Sequence, residues 1–255
     1  MSSGLGSKIK VAGLIIILVL LLFCAWMDVQ ERTKKATYAE DLHEEEVKPE
    51  RIIDPNKPML ALTFDDGPGK LTMQLLEQLE AYDARASFFM VGRNVPRYPE
   101  AVKKMSELGC DIGNHSVNHP KLTELETDSI EEEINGTNVE IQNIIGQGAS
   151  MFRPPYGEAD ERVSTLAGAP LIMWSVDTRD WESKDVAAIR DYVLETVQDG
   201  DIVLLHDIHE ATVQAAIECI PKLIENGYQL VTVSEMAAAR GITLENGVKY
   251  YEFKK

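Results

Sequence analysis

From Met59 onward, short apolar runs alternate with longer segments in which apolar residues recur at helical spacing. The apolar runs predict strands and the longer segments predict helices, most clearly at 99–109, 128–146 and 211–227. The predicted strands are 59–64, 86–92, 110–115, 151–155, 171–177, 201–206 and 228–233. This alternation is typical of a parallel sheet with helical crossovers. We therefore predict an α/β fold, an incomplete (β/α)7 barrel over 58–241, followed by a short tail at 242–255.

The pattern before the barrel is different, because residues 11–27 are uncharged and almost wholly apolar. This length is close to the minimum that spans a bilayer, and Trp26 lies where an interfacial aromatic residue is expected. Lys8 and Lys10 precede the run. The flanking lysines and the polar sequence that follows favour a transmembrane helix over the alternative, a buried core helix.

The positions of these lysines also predict the topology of the chain. The positive-inside rule leaves 1–10 in the cytoplasm and exports everything after Met27. No run of small residues suitable for cleavage follows the apolar segment, so we expect an uncleaved signal anchor. Residues 28–57 have few large apolar side chains and are expected to form an extracellular linker. The resulting prediction is a single-pass protein of the bacterial cell membrane with its barrel outside.

Composition narrows the class of protein. The chain has 255 residues, 44% of them hydrophobic, and a formal net charge of −17. This content supports a sizeable core, whereas the negative charge argues against nucleic acid as a partner. Cys110 and Cys219 are the only cysteines after Met27, too few for a disulfide scaffold. We expect both to be buried free thiols.

Polar side chains occur where the predicted strands end. They are Asp65 with Asp66, His115, Arg153, Asp177 and His206. The C-terminal ends of the strands of a β/α barrel converge on one face, which is where active sites of such barrels form. We therefore expect these residues to lie together.

His115 and His119 are four residues apart in "HSVNH". Both imidazoles can reach one metal ion, and Asp66 would complete a His/His/carboxylate set with open positions for water and substrate. The histidine spacing alone is a weak signal. If Asp66 binds the metal, Asp65 is free to act as a general base, and the cation would keep both carboxylates ionised.

Two further segments supply an oriented cation and a general acid. Arg153 in "FRPPYG" is placed to orient Asp65, although a surface arginine in a proline-rich turn is the alternative. A hydrogen bond donated by the His206 ring to Asp180 would keep His206 protonated, so that His206 can donate a proton to a leaving amine.

Five segments together resemble the polysaccharide deacetylase family, also called the NodB-homology or carbohydrate esterase 4 family. They are "TFDDG", "HSVNH", "RPPY", "DTRDW" and "LLH", which span 63–206 in the family's order. The resemblance implies that Asp65 is the base and that Arg153 positions it. It also implies a divalent metal on Asp66, His115 and His119, usually Zn²⁺, with Co²⁺, Ni²⁺ or Mn²⁺ as alternatives.

The resemblance further implies that the backbone N–H of Tyr156 helps to stabilise the oxyanion and that Asp180 tunes the acid, His206. Leu204 and Trp181 would line the pocket for the acetyl methyl group. Pro155 and Asp177 are expected to belong to the same substrate pocket, without a more definite role.

The reaction implied by the resemblance is hydrolysis of N-acetyl groups on N-acetylglucosamine units. Export makes peptidoglycan the expected cell-wall substrate. Three alternatives stay open: a chitooligosaccharide deacetylase, a catalytically silent carbohydrate-binding relative, and a hydrolase of another amide such as a cyclic imide. The sequence leaves the oligomeric state open.

Overall fold

The computed structural model describes residues 23, 26–31 and 51–255. The predicted membrane segment, 11–27, lies outside the described residues apart from Phe23, Trp26 and Met27. The predicted cytoplasmic segment, 1–10, and most of the predicted linker also lie outside them. No helix within the described part of the chain is both long and apolar enough to cross a bilayer. The predicted anchor and topology therefore stay predictions.

A single curled parallel sheet organises the compact unit formed by 53–255. Its strands are β1 (Met59–Asp65), β2 (Ser87–Met90), β3 (Asp111–Asn114), β4 (Met151–Phe152), β5 (Leu171–Ile172), β6 (Val176–Asp177), β7 (Ile202–His206), β8 (Gln229–Leu230) and β9 (Lys249–Tyr250). Their spatial order is β6-β7-β1-β2-β3-β4-β5-β9, and β8 pairs with the beginning of β1. The parallel α/β architecture predicted from the sequence is confirmed.

Helices connect these strands. They are α1 (Thr72–Ala81), α2 (Pro99–Glu107), α3 (Thr127–Ile145), α4 (Glu161–Leu166), α5 (Asp180–Ser183), α6 (Val186–Thr196), α7 (Glu210–Glu225) and α8 (Val233–Ala239). Short 3-10 turns lie at Gly92–Arg97, Leu122–Glu124 and Pro155–Gly157. The three helices predicted most clearly are present as α2, α3 and α7.

The predicted strand 171–177 is divided in two, and this division curls the sheet. Its first part, β5, pairs with β4 and β9, whereas its second part, β6, pairs with β7. These partners belong to opposite ends of the strand order. A continuous strand could not pair with β4 near one end of the strand order and with β7 near the other. The break between β5 and β6 allows one stretch of chain to make both pairings.

Strand β1 explains why a charged residue lies inside this barrel. Leu60, Leu62 and Phe64 belong to the cluster that packs the sheet against its helices. Met59 and Ala61 belong to a second cluster, with residues from β2, β4, β5 and β7. Side chains alternate between the two faces of a strand. The alternation places Thr63 and Asp65 on the Met59 side, and both are buried.

The predicted boundary at 241 is wrong. Strand β9 lies in the predicted tail, 242–255, and adds to the free edge of β5. Phe253 is only 2% exposed and packs in the cluster that includes Met59. The tail is therefore part of the compact unit, which runs to Lys255 and begins at Ile53 rather than at residue 58.

The last predicted strand, 228–233, is shorter than expected. It ends at Leu230, because Thr232 caps helix α8 instead of continuing the sheet. The Thr232 side chain accepts from the Glu235 N–H, and the Glu235 side chain accepts from the Thr232 N–H. This reciprocal capping box satisfies the backbone N–H groups of Thr232 and Glu235 without any bond to the sheet.

The prediction for the cysteines is confirmed. Cys110 and Cys219 are both buried and both free. Burial raises the pKa of each thiol to about 12. Such thiols behave as small apolar side chains rather than as nucleophiles.

Candidate active site

The C-terminal ends of the strands surround a cavity of about 390 Å³. Nine of the residues predicted for the site line this cavity. They are Asp65, Asp66, His115, His119, Tyr156, Asp177, Trp181, Leu204 and His206. The expectation that the residues at the strand ends converge is thus met by the fold, as the C-terminal face of a β/α barrel requires.

Asp66, His115 and His119 form a compact group, here called the ligand cluster. The Asp66 Oδ1 atom lies 3.7 Å from His115 Nε2 and 3.6 Å from His119 Nε2. One potential ligand atom from each residue lies within 4.8 Å of the others. Atoms at this spacing can surround a single ion with bonds of about 2.0–2.2 Å.

The loops that carry two of these side chains adopt an uncommon backbone conformation. Asp66 and His119 have φ values of 71° and 61°, in the left-handed region. Hydrogen bonds hold both residues there: Asn94 Nδ2 donates to the Asp66 carbonyl at 2.8 Å, and the His119 N–H donates to Ser116 Oγ at 2.9 Å. Such conformations persist where the surroundings fix them, often at functional sites.

The hydrogen bonding of His115 fits a metal ligand. Its Nδ1 lies 2.6 Å from the Arg153 carbonyl oxygen, which only accepts, so Nδ1 carries the proton. Burial, opposed by the nearby Asp66 carboxylate, lowers the pKa of His115 to about 3. Neutral His115 therefore turns the lone pair of Nε2 toward an Asp66 oxygen that also carries lone pairs. A cation between them resolves this repulsion, and the donor set suits Zn²⁺, Co²⁺, Ni²⁺ or Mn²⁺.

Asp65 lies beside this cluster and is held by Arg153. The guanidinium is fully buried, and its Nη1 donates to Asp65 Oδ1 at 2.7 Å and to Thr63 Oγ1 at 2.7 Å. Its other nitrogens donate to the carbonyls of Ile172 and Met173, each at 2.8 Å. Arg153 is therefore a fixed buried cation, and the alternative of a surface arginine is wrong.

The protonation of Asp65 follows from the same environment. Burial raises the pKa of its carboxyl, and the Arg153 guanidinium opposes that rise. A carboxylate with a raised pKa is a stronger base than one in water. Its second oxygen, Oδ2, lies 3.6 Å from His115 Nε2, so the base borders the ligand cluster.

Asp180 and His206, here called the acid pair, lie at the start of α5 and at the end of β7, and His206 lines the cavity. Asp180 Oδ1 is 2.8 Å from His206 Nδ1. The other oxygen of the fully buried Asp180 accepts from the His206 N–H at 2.8 Å and from the Thr212 hydroxyl at 2.7 Å. Both oxygens of this carboxylate thus bind His206, one through the ring and the other through the backbone N–H.

The acid pair keeps His206 charged near neutral pH. Burial by itself would lower the pKa of His206, but the hydrogen bond and charge of Asp180 outweigh it and raise the pKa to about 9. The protonated ring is the form that can donate a proton.

The walls of the cavity differ in part from the prediction. Trp181 is 48% exposed at the rim, whereas Leu204 is buried. Pro154 lines the cavity, whereas the predicted Pro155, the first residue of the 3-10 turn Pro155–Gly157, does not.

Three wall residues were missed by the sequence reasoning: Pro154, Gly157 and Trp174. Trp174 lies in the break between β5 and β6 and also lines the cavity. In the continuous strand predicted at 171–177, nothing distinguishes Trp174 from its neighbours.

Comparison with known proteins agrees with this geometry. The sequence profile described as "Polysaccharide deacetylase" matches residues 53–169. The peptidoglycan-N-acetylmuramic acid deacetylase PdaC of Bacillus subtilis is 40% identical over 188 residues, 73% of this chain and 40% of that protein. This chain thus spans about two fifths of that relative's length.

This chain matches a larger share of a shorter relative and of a solved structure. A peptidoglycan-N-acetylglucosamine deacetylase of Bacillus cereus is 37% identical over 190 residues, 71% of this chain and 89% of that protein. The solved structure of peptidoglycan deacetylase PdaC from Bacillus subtilis superposes with a TM-score of 0.73 and 39% identity, covering 74% of this chain and 94% of that one. By fold and by sequence, the chain belongs to the polysaccharide deacetylase family.

Proposed function

We propose that this chain is a metal-dependent deacetylase that removes N-acetyl groups from N-acetylglucosamine residues of peptidoglycan and releases acetate. The observation that carries the proposal is the placement of Asp65. It is bonded to Arg153, borders the ligand cluster, and shares one cavity with His206 of the acid pair.

The division of roles between the two adjacent aspartates follows from their contacts. Asp66, His115 and His119 would hold the divalent metal, whereas Asp65 is already bonded to Arg153. When bound, the metal supplies Lewis-acid polarisation of the substrate carbonyl. Asp65 takes a proton from the water that attacks the carbonyl carbon, and Arg153 keeps its carboxylate pointed into the cavity.

The acid pair completes the reaction. As the C–N bond breaks, protonated His206 donates its proton to the leaving nitrogen, giving a free amine and acetate. Asp180 holds the ring and stabilises its charge. The N–H of Tyr156 is our candidate for an oxyanion donor. Trp181 and Leu204 would enclose the acetyl methyl group.

The substrate assignment rests on the relatives. The Bacillus cereus protein is named as an N-acetylglucosamine deacetylase and PdaC as an N-acetylmuramic acid deacetylase, both of peptidoglycan. The second sugar is therefore a specific alternative. Peptidoglycan also fits the predicted membrane anchor at 11–27, which would place the enzyme outside the bacterial cell and beside the wall.

Acetate release by the purified chain tests the proposal. The substrates are peptidoglycan, chitin oligomers and a cyclic imide, each assayed after chelation with and without added Zn²⁺. Mass spectrometry of muramidase digests identifies which sugar loses its acetyl group. We expect activity on peptidoglycan that Zn²⁺ restores, and a loss of about 10²- to 10⁴-fold in Asp65→Asn.

Each alternative predicts a different result in this assay. Deacetylated muramic acid, or acetate from chitin oligomers alone, would replace the proposed substrate. Hydrolysis of the imide alone would indicate another amide hydrolase. A folded chain that binds glycan and metal but releases no acetate would be a silent carbohydrate-binding relative.

A further inference from the structure

One buried carboxyl next to the site has no part in the chemistry proposed above. Asp207 follows His206 directly and is 1% exposed. Its Oδ2 accepts a short hydrogen bond from the Thr72 hydroxyl, whereas its buried Oδ1 has no hydrogen-bond partner among the described residues. An unpartnered buried oxygen lowers folding stability, so this group needs another explanation.

The Asp207 carboxyl fills the space beside Gly67, in the loop that carries Asp66. A Cβ atom on Gly67 would lie 2.2 Å from Asp207 Oδ1 and 2.5 Å from Oδ2. Gly67 does not have a left-handed backbone. Glycine is therefore needed here for close approach of the carboxyl, not for its conformational freedom.

The same loop is held from two directions. On one side, the Gly69 N–H donates to Thr72 Oγ1 at 2.7 Å, and the Thr72 hydroxyl in turn donates to Asp207. On the other side, the Val91 N–H donates to the Gly67 carbonyl at 2.9 Å. The loop 66–69 is thus clamped between the end of β2 and the residue that follows β7.

We propose that Asp207 is a positioning residue for the ligand cluster: its carboxyl fixes loop 66–69 so that the Asp66 carboxylate meets His115 and His119. Asp66 needs such support, because its left-handed backbone is unfavourable for a residue other than glycine. Because Asp207 adjoins His206 in the chain, the contact also links the ligand cluster to the acid pair. The inference rests on the proposed function only in taking the ligand cluster as a metal site.

The environment of Asp207 suggests which replacement should be tolerated. Burial raises its pKa to about 7, the Thr72 hydrogen bond opposes this, and the Asp66 charge adds to it. Among the residues that the structure describes, the one hydrogen bond of this carboxyl is accepted from the Thr72 hydroxyl, and the amide oxygen of an uncharged side chain of the same shape can accept it as well. We expect Asp207→Asn to retain most of the positioning effect and Asp207→Ala to lose it.

Cobalt binding by the purified full chain tests the proposal without any assay of activity. Co²⁺ affinity is measured by competition with a chelator, and coordination by the visible absorption bands of the bound ion. We expect Asp207→Ala to weaken Co²⁺ binding by about tenfold or more and to change the absorption bands, as outer contacts of metal ligands commonly do. Asp207→Asn should resemble the unchanged chain.

Asp201→Ala is the matched control. Asp201 precedes the opposite end of β7, is 3% exposed, and accepts from Ser175 Oγ at 2.9 Å and from the Gln198 N–H at 2.7 Å. Its loss should lower the melting temperature but leave Co²⁺ affinity and the absorption bands unchanged. Unchanged cobalt binding in Asp207→Ala, or equal weakening in both variants, would overturn the proposal.

A second pair of variants decides the matter if Asp207→Ala does not fold. Thr72→Val removes the hydroxyl that joins Gly69 to Asp207, and Thr72→Ser keeps it. We expect weaker Co²⁺ binding in the valine variant only, and equal affinities would overturn the proposal. If the unchanged chain binds Co²⁺ but releases no acetate, only the proposed function fails. If it binds no Co²⁺, both proposals fail.

Discussion

The ligand cluster and His206 of the acid pair line the same cavity, yet the polar atoms of the cluster and of the pair are arranged differently. In the ligand cluster, the Asp66 oxygen stands 3.6–3.7 Å from two imidazole nitrogens, too far for hydrogen bonds. In the acid pair, Asp180 bonds the His206 ring directly at 2.8 Å, and both of its oxygens have partners. The acid pair thus satisfies its own hydrogen bonds, whereas the three groups of the ligand cluster make none with one another.

This difference makes the two regions separable by experiment. Removal of the ion should affect the ligand cluster and leave the Asp180–His206 bond in place. Replacement of Asp180 should do the reverse, because its carboxylate does not belong to the ligand cluster. The predictions below use this separation, starting from the largest expected effect.

Loss of the ligand cluster should reduce activity the most. Chelation, or His119→Ala, is expected to lower acetate release by more than about 10³-fold, since a bound metal supplies several kcal/mol of transition-state stabilisation. Added Zn²⁺ should restore the chelated enzyme but not the variant. If the stripped enzyme stayed active, the distinction between the two regions would not hold.

Replacement of Asp180 should cost less and should change the pH profile. Asp180 raises the pKa of His206, so Asp180→Asn should lower that pKa. The alkaline limb of kcat/KM, where the acid loses its proton, should then move to lower pH, and kcat should fall by about 10²-fold or more. Co²⁺ affinity should be unchanged. An alkaline limb that stays in place would assign the acid role to another group.

The acid pair should also make the free energy of unfolding depend on pH. The pKa of His206 is about 9 in the folded chain, against about 6.5 when unfolded. Its stabilisation is fully present below pH 6.5 and is lost as pH rises through 9. The loss in the free energy of unfolding should be about 3 kcal/mol. Denaturant titrations at several pH values measure it, and Asp180→Asn should show a smaller loss.

The sequence predicted some parts of the site better than others. The alternation in β1 and the position of charges at strand ends are local features, and they placed Asp65, Asp66 and His206 in one cavity. The burial of Arg153 depends on carbonyls of Ile172 and Met173, which are exposed to it only where β5 ends. No local sequence pattern predicts the break between β5 and β6.

The other misses also come from contacts between distant segments. Strand β9 is two residues long, and only its partner β5 gives it a place in the sheet. Asp207 reads as an ordinary loop acid in "HDIHE", because its burial depends on the approach of Gly67. Such features require the folded arrangement, since the residues involved are far apart in the chain.

Replacement of Asp177 should have the smallest effect on activity, and it tests a position of the cavity outside both regions. It lines the cavity, but its Oδ1 accepts from the Arg179 N–H at 3.0 Å and it belongs to neither region. A hydrogen bond from substrate to its carboxylate would be worth about 1–2 kcal/mol, so Asp177→Asn should raise KM by about tenfold with little change in kcat. Co²⁺ affinity and the alkaline limb should both stay the same. A change in kcat alone would place Asp177 in the reaction rather than in substrate binding, and the cavity would then contain three chemical regions instead of two.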